Sequence, residues 1–257
     1  MSHQKTKEDV IQNKKKAIKS VNKMLENLIN DSSEKHLKKA DLISYWIQDY
    51  VRFTQFEEKF NPTRLLSYKR GDVIRVNFGF RVGAEFGGLH YAVVLDKENP
   101  HNSNTLTVVP LSSLKADKAV HERDLSIGTE FYNLVDAKFK RQFTETKNKL
   151  DELSALNSVL RKIPEDQWTA ETLAAFRNID KQIDEILNTI SSLAKDQQEI
   201  EKMKVGSIVK IEQITTISKM RIYTPKKSAD FLSGIRLSSN AMSRINEKIK
   251  EFYIFSE

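Results

Sequence analysis

YKRGDVIRVNFGFRVGAEFGGLHYAVVLDKEN, residues 68–99, is the stretch on which the fold turns. Its first part, GDVIRVNFGF (71–80), alternates apolar and polar residues, as a half-buried β-strand does. Glycines 79, 83, 87 and 88 then surround a single carboxylate, Glu85. Glycine allows backbone angles closed to other residues and lets a ligand come close. HYAVVLD (90–96) follows as a second strand, with His90 at its mouth. Polar groups displayed where a loop meets a strand commonly form a site. On these residues alone, a hairpin turn with one charged tip reads equally well.

Working outward, TLTVVPLSS (105–113) is a third strand, set off by the turn-forming KENPHNSN (97–104), and RDLSIG (123–128) a fourth. Strand character returns in GSIVKIEQITTI (206–217) and MRIYTP (220–225). Short strands of this kind predict a small, curled antiparallel sheet or barrel. Between the two β regions, Phe176, Ile179, Ile183, Ile186, Ile190, Leu193, Gln197 and Ile200 follow heptad spacing. Phe139, Phe143, Leu150, Leu153 and Leu160 continue that register upstream, and Ile163-Pro164-Glu165-Asp166 makes the turn. The reading is an antiparallel, coiled-coil-like helical hairpin, residues 131–203, whose simplest role is packing or dimerisation. Two strands at the C-terminal end are not stable alone, so 67–130 and 204–257 are read as one discontinuous β domain interrupted by the hairpin. Residues 1–66 form an N-terminal helical extension. Ile11, Ile18, Val21, Leu25 and Leu28 make one stripe, and Asp31-Ser32-Ser33-Glu34 reads as a capping box opening a second helix. Met242, Ile245, Ile249 and Phe252 mark a closing helix from about Ser239. The fold class is α+β.

The formal net charge of +7 is unevenly spread: +4 over 1–66, 0 over 67–130, −2 over 131–203 and +5 over 204–257. Basic ends suit a polyanion, although solvated helical lysines produce the same excess. The chain has no cysteine, which excludes disulfides, thiolate nucleophiles and zinc–thiolate sites. The opening residues have no secretory apolar region, and no apolar run approaches the ~20 residues of a membrane span. The expectation is a cytoplasmic protein that does not enter a membrane. The glycines lack the Gly-Lys-Ser/Thr of a phosphate-binding P-loop, and no His and carboxylate pair has metal-ligand spacing on a helix. No metal or cofactor is expected.

Residues 68–99 resemble the opening of the MazF/PemK toxin family: a basic-Gly-Asp strand, a Gly-x-Glu-x-Gly-Gly loop, and a strand running into Asp or Asn. TLTVVPLSS is similar to the family's next strand, which ends in a hydroxyl residue. SIVKIEQITTISKMRI (207–222) resembles its late motif, and LSSNAMSRINEKIKEFY (237–253) its C-terminal helix. The resemblance covers a little under half of the chain. It implies an SH3-like small barrel, usually a homodimer, acting as a metal-independent endoribonuclease on single-stranded RNA under the control of a cognate antitoxin protein. The implied chemistry is attack of a ribose 2′-hydroxyl on the adjacent phosphate, giving a cyclic phosphate and a 5′-hydroxyl. Two other functions stand beside it: a non-catalytic RNA- or protein-binding module on the same barrel, and, last, a DNA gyrase poison.

Carried over position by position, Glu85 matches the family's acidic residue. The family arginine falls on His90, the following proline on Tyr91 and the threonine on Ser112, while Thr215 stands where the late motif often has arginine. A histidine titrates near neutrality and can take or give a proton. It lacks the permanent charge and bidentate grip of arginine. The reading is therefore His90 as general acid/base, with Ser112 and Glu85 completing the catalytic set. Lys69, Arg70, Arg81, Lys219 and Arg221 are the candidate cations, and Phe86 and Tyr91 the candidate exposed rings for stacking bases. Each has a plainer alternative: His90 as a strand-edge residue, Ser112 as a strand end, Glu85 as a loop cap. His101 and His121 are further imidazoles that spacing gives no reason to join to His90.

Overall fold

The alternation after Gly71 produces the expected strand. The computed structural model describes residues 5–115 and 119–254. In it β1 (Val73–Asn77) buries Val73, Ile74 and Val76 completely while Arg75 and Asn77 keep partial exposure. β2 (Leu89–Val94) runs antiparallel to β1, with Val73 opposite Val93 and Asn77 opposite Leu89. β3 (Thr105–Ser113) pairs with β2 through Ala92–Pro110, Val93–Val109 and Val94–Val108. β4 is Asp124–Gly128, and beyond the inserted helices come β5 (Ser207–Lys210), β6 (Thr215–Ser218) and β7 (Ile222–Thr224).

These seven strands form one antiparallel sheet of order β4-β5-β3-β2-β1-β7, with β6 alongside β3. Strands from either side of the insertion interleave: β3 pairs with β5 and β6, and β1 with β7. The nine-residue β3 serves two partners, β6 along 105–108 and β5 along 111–113. The expected barrel does not close, since among the described residues no pairing joins β4 to β7. β7 is three residues long and runs into Pro225, which has no amide to extend a ladder.

The insertion is a helical hairpin, α3 (Glu130–Leu160) packed on α4 (Ala170–Lys202). Ile179, Ile186, Leu193 and Ile200 are its buried residues on α4, one in every seven, whereas Ile190 and Gln197 stay exposed. One of the two seam positions predicted from the heptads is therefore covered and the other largely is not. The root of the hairpin belongs to the main core: Phe131, Val135 and Ile200 cluster with Val73, Val93, Val109, Leu111, Val209 and Ile245. Lys138 fastens it further, its Nζ donating to the carbonyls of Asp230, Phe231 and Ser233 at 3.2, 3.1 and 2.8 Å. α5 (Ser239–Tyr253) starts on Ser238, whose hydroxyl accepts the Ala241 amide, and lays Ala241, Met242 and Ile245 on the core.

The chain divides into two compact units. One comprises residues up to Phe60 with Phe78–Gly88; the other comprises 61–77 with 89–257 and holds the sheet and hairpin. The first contains α1 (Lys7–Ile29) and α2 (Glu34–Phe56). A capping box does form, but on α1, between Thr6 and Asp9. The box expected at 31–34 is absent because α2 begins at Glu34 itself, too early in the helix to reach back. Asp31 instead accepts the Ser33 amide at 2.8 Å and faces His36 Nδ1 at 3.1 Å. Among the described residues no helix is long and apolar enough to cross a membrane.

Candidate active site

The glycine loop is built to fold on itself. Phe78 N–H donates to Gly88 O and Gly88 N–H to Gly79 O, both at 2.8 Å. Gly79 and Gly88 hold φ of 79° and 88°, and a Cβ on Gly87 would stand 2.7 Å from Gly79 O. Phe86 meets Phe78 edge-on at 5.8 Å, so it is half-buried rather than the exposed stacking ring expected. Arg81 Nε donates to Phe78 O at 3.1 Å, and its Nη1 lies 3.9 Å from Glu85 Oε2. Arg81, Glu85 and Phe86 thus form contacts within the loop, which groups with the N-terminal helices.

In the sheet unit, His90 and Ser112 line one cavity of about 700 Å³. The β2–β3 pairing ends at Ala92–Pro110, and His90 and Ser112 each lie two residues past that pair on their own strands. Tyr91, the next residue, packs edge-on against Phe131 at 4.9 Å. It too lines the cavity but is half-buried, not exposed. Burial pushes its phenol above the ordinary value, while the neighbouring Arg75 pulls it down.

The remaining wall comes from residues that the sequence reading did not select. Arg75, opposite Tyr91 on β1, lines the cavity, as do Lys115, Lys202, Lys204 and Lys210. Among the described residues, two carboxylates, Asp124 and Glu199, stand against these five cations. Asp124 and Lys210 are opposite one another on β4 and β5 and pair at 2.6 Å. Arg75 Nη1 pairs with Glu199 Oε2 at 2.8 Å, and its guanidinium lies 5.7 and 5.5 Å from the Tyr91 and Tyr223 rings. His121 is a second imidazole in the lining; its Nδ1 accepts the Arg123 amide at 3.2 Å, which leaves Nε2 as the proton-bearing nitrogen of the neutral ring. His101 is elsewhere, bonded to Leu65 O at 2.8 Å.

The cations chosen from sequence do not line this cavity. Lys219 is buried, its ammonium bonded to Pro100 O at 3.3 Å, and burial lowers its pKa. Arg70 is bound to Leu95 O and Asn246 Oδ1, Lys69 is exposed beside Asp72, and Arg221 sits half-buried in the turn before β7. Arg75 was legible in principle, as a charged residue in a polar slot of the alternating strand. The lysines at the foot of the hairpin carried no local signal, since only the tertiary fold brings them to β2 and β3.

Chemically, the cavity gathers two imidazoles, hydroxyls from Ser112 and Ser113, and an excess of positive charge. That set can move protons at neutral pH and hold a phosphodiester. Among the described residues no cluster of three or more His, Asp or Glu is placed to hold a metal ion. The family model for a PemK-like, MazF-like toxin of type II toxin-antitoxin system matches residues 69–168, which span β1 to β4, α3 and the hairpin turn. No curated protein matches the chain.

Proposed function

Because residues 69–168 match the family model for PemK-like, MazF-like toxins of type II toxin-antitoxin systems, we propose that the chain is an endoribonuclease toxin that cleaves single-stranded RNA and is restrained by an antitoxin protein. The observation that carries this reading is the shared cavity of His90, Ser112, His121 and Arg75. His90 takes the proton of a ribose 2′-hydroxyl as its oxygen attacks the neighbouring phosphorus. The P–O5′ bond breaks, and the imidazolium formed on His90 gives its proton to the leaving 5′-oxygen. The products are a 2′,3′-cyclic phosphate and a 5′-hydroxyl. Ser112 donates a hydrogen bond to a non-bridging oxygen, and Arg75 with the cavity lysines balances the charge developing there. Arg75 thereby supplies from β1 the guanidinium that the family places where this chain has His90. No proton or charge in this sequence of steps is assigned to a metal ion.

Incubation of the purified protein with a long unstructured RNA in excess EDTA tests it. Discrete fragments with cyclic-phosphate ends are expected, and their loss in a folded His90→Ala variant. RNA left intact across pH and salt refutes the nuclease. The pairing of Arg75 with Glu199 favours one competitor, a non-catalytic RNA-binding module. That reading predicts salt-sensitive binding with no cleavage under any condition.

A further inference from the structure

The helical insertion reaches the proposed site at one point. Glu199, three residues from the C-terminal end of α4, faces Arg75 at 2.8 Å, with the guanidinium near Tyr91 and Tyr223. The pair is not a loose surface contact: the Arg75 side chain is 27% exposed and that of Glu199 36%. Lys202, one turn on, lies 3.5 Å from the other carboxylate oxygen. A guanidinium offers a planar fork that fits a carboxylate or a phosphate in the same way, and the two compete for the same N–H groups. Among the described residues no other carboxylate lining the cavity contacts Arg75; Asp124 is bonded to Lys210.

We propose that Glu199 is a built-in occupant of the phosphate seat: the foot of the hairpin holds Arg75 with a carboxylate that an RNA phosphate must displace. This rests on the reading of the cavity as an RNA site and adds its regulation. The foot of the hairpin is then an internal brake, and rotation of the Glu199 side chain off Arg75, with Ile200 kept in the core, is the event that frees the guanidinium. Displacement of Glu199 also releases Lys202, so one rearrangement supplies two cations to the incoming strand.

The test is binding of a short fluorescent RNA with 2′-O-methyl riboses, which cannot be cleaved by 2′-oxygen attack. Glu199→Gln keeps the shape of the side chain and removes its charge. It should bind this RNA roughly tenfold more tightly than the natural protein, the scale of one charge-assisted contact. Its log K against log [salt] should steepen by about 0.7, the increment for one further phosphate neutralised on a single strand. In an Arg75→Gln background the gain should vanish. Glu201→Gln, an exposed carboxylate two residues on, controls for general charge. Equal gains from Glu199→Gln and Glu201→Gln overturn the proposal, as does a gain that survives in Arg75→Gln. Weaker or unchanged binding by a Glu199→Gln protein that melts like the natural one overturns it as well. So does an RNA that neither protein binds. The cleavage assay separates the two claims. Tighter, Arg75-dependent binding without cleavage keeps the brake and removes the nuclease; His90-dependent cleavage with no change on Glu199→Gln does the reverse.

Discussion

At the scale of single residues, the proposed chemistry depends on what each side chain can hold. Arg75→Lys retains the charge but loses the fork and the stacking between tyrosines, so cleavage is expected to fall on the order of 10- to 100-fold with the fold intact. A kcat and KM comparison on one defined RNA measures it. Ser112→Thr keeps the hydroxyl and should retain activity, whereas Ser112→Ala should lose on the order of tenfold or more. His90 and Ser112 were legible as candidates because the resemblance pointed to one position at the mouth of a strand and one at the end of another. Arg75 was passed over because a charged residue in an alternating strand normally faces solvent. Here its side of the sheet is covered by Tyr91, Phe131 and the end of α4. The tertiary environment, not the local pattern, turns that arginine into a candidate ligand.

Among the elements, the hairpin is where sequence and structure diverge most usefully. Heptad spacing identified its helices, but a seam read from spacing alone does not say which stripe is covered. Ile179, Ile186, Leu193 and Ile200 are, and Ile190 with Gln197 is not. Nor did spacing reveal the anchors. Lys138→Met removes an ammonium that satisfies three carbonyls and should lower stability by about 2 kcal/mol or more, read by chemical denaturation. Nearby, Asp196 has its pKa raised above the ordinary 3.8, first by burial, with Lys138 opposing. The folded chain therefore keeps this proton at pH values where the unfolded chain has released it. The resulting cost is absent well below pH 3.8, grows as pH rises through that value and is complete above the folded pKa. Asp196→Asn should accordingly raise the melting temperature at pH 7, and the gain should shrink in acid. A gain independent of pH would show that packing, not ionisation, is responsible.

For the whole molecule, the insertion has two parts with different consequences. Its root supplies Phe131, Val135 and Ile200 to the main core, so excising all of 131–203 should abolish cooperative folding. Its outer part contributes nothing to that cluster. Leu150 and Ile190 line the same apolar pocket between the two helices, so removing 151–189 and closing with a short Gly/Ser turn joins neighbouring positions. That shortened protein should keep a cooperative thermal transition and its cleavage activity, while loss of either would give the distal hairpin a role in folding or assembly. Much of the architecture was readable: the strand segments were placed to within a few residues, although 206–217, read as one run, holds two strands parted by a turn at Ile211–Gln213, and the continuity of the sheet across the insertion followed from the instability of isolated strand pairs. Barrel closure was not, because whether edge strands meet depends on the length of β7 and its run into Pro225, details that alternation does not encode.

The interleaved order of the sheet also bears on how the protein is made. Among the described residues β4 pairs with β5 alone, and Ser112 faces Ile208 across the β3–β5 ladder. A nascent chain synthesised through the hairpin therefore still lacks one side of the cavity. Most of the polypeptide is thus made before the proposed site is complete, and a product truncated ahead of Ser207 is expected to cleave no RNA.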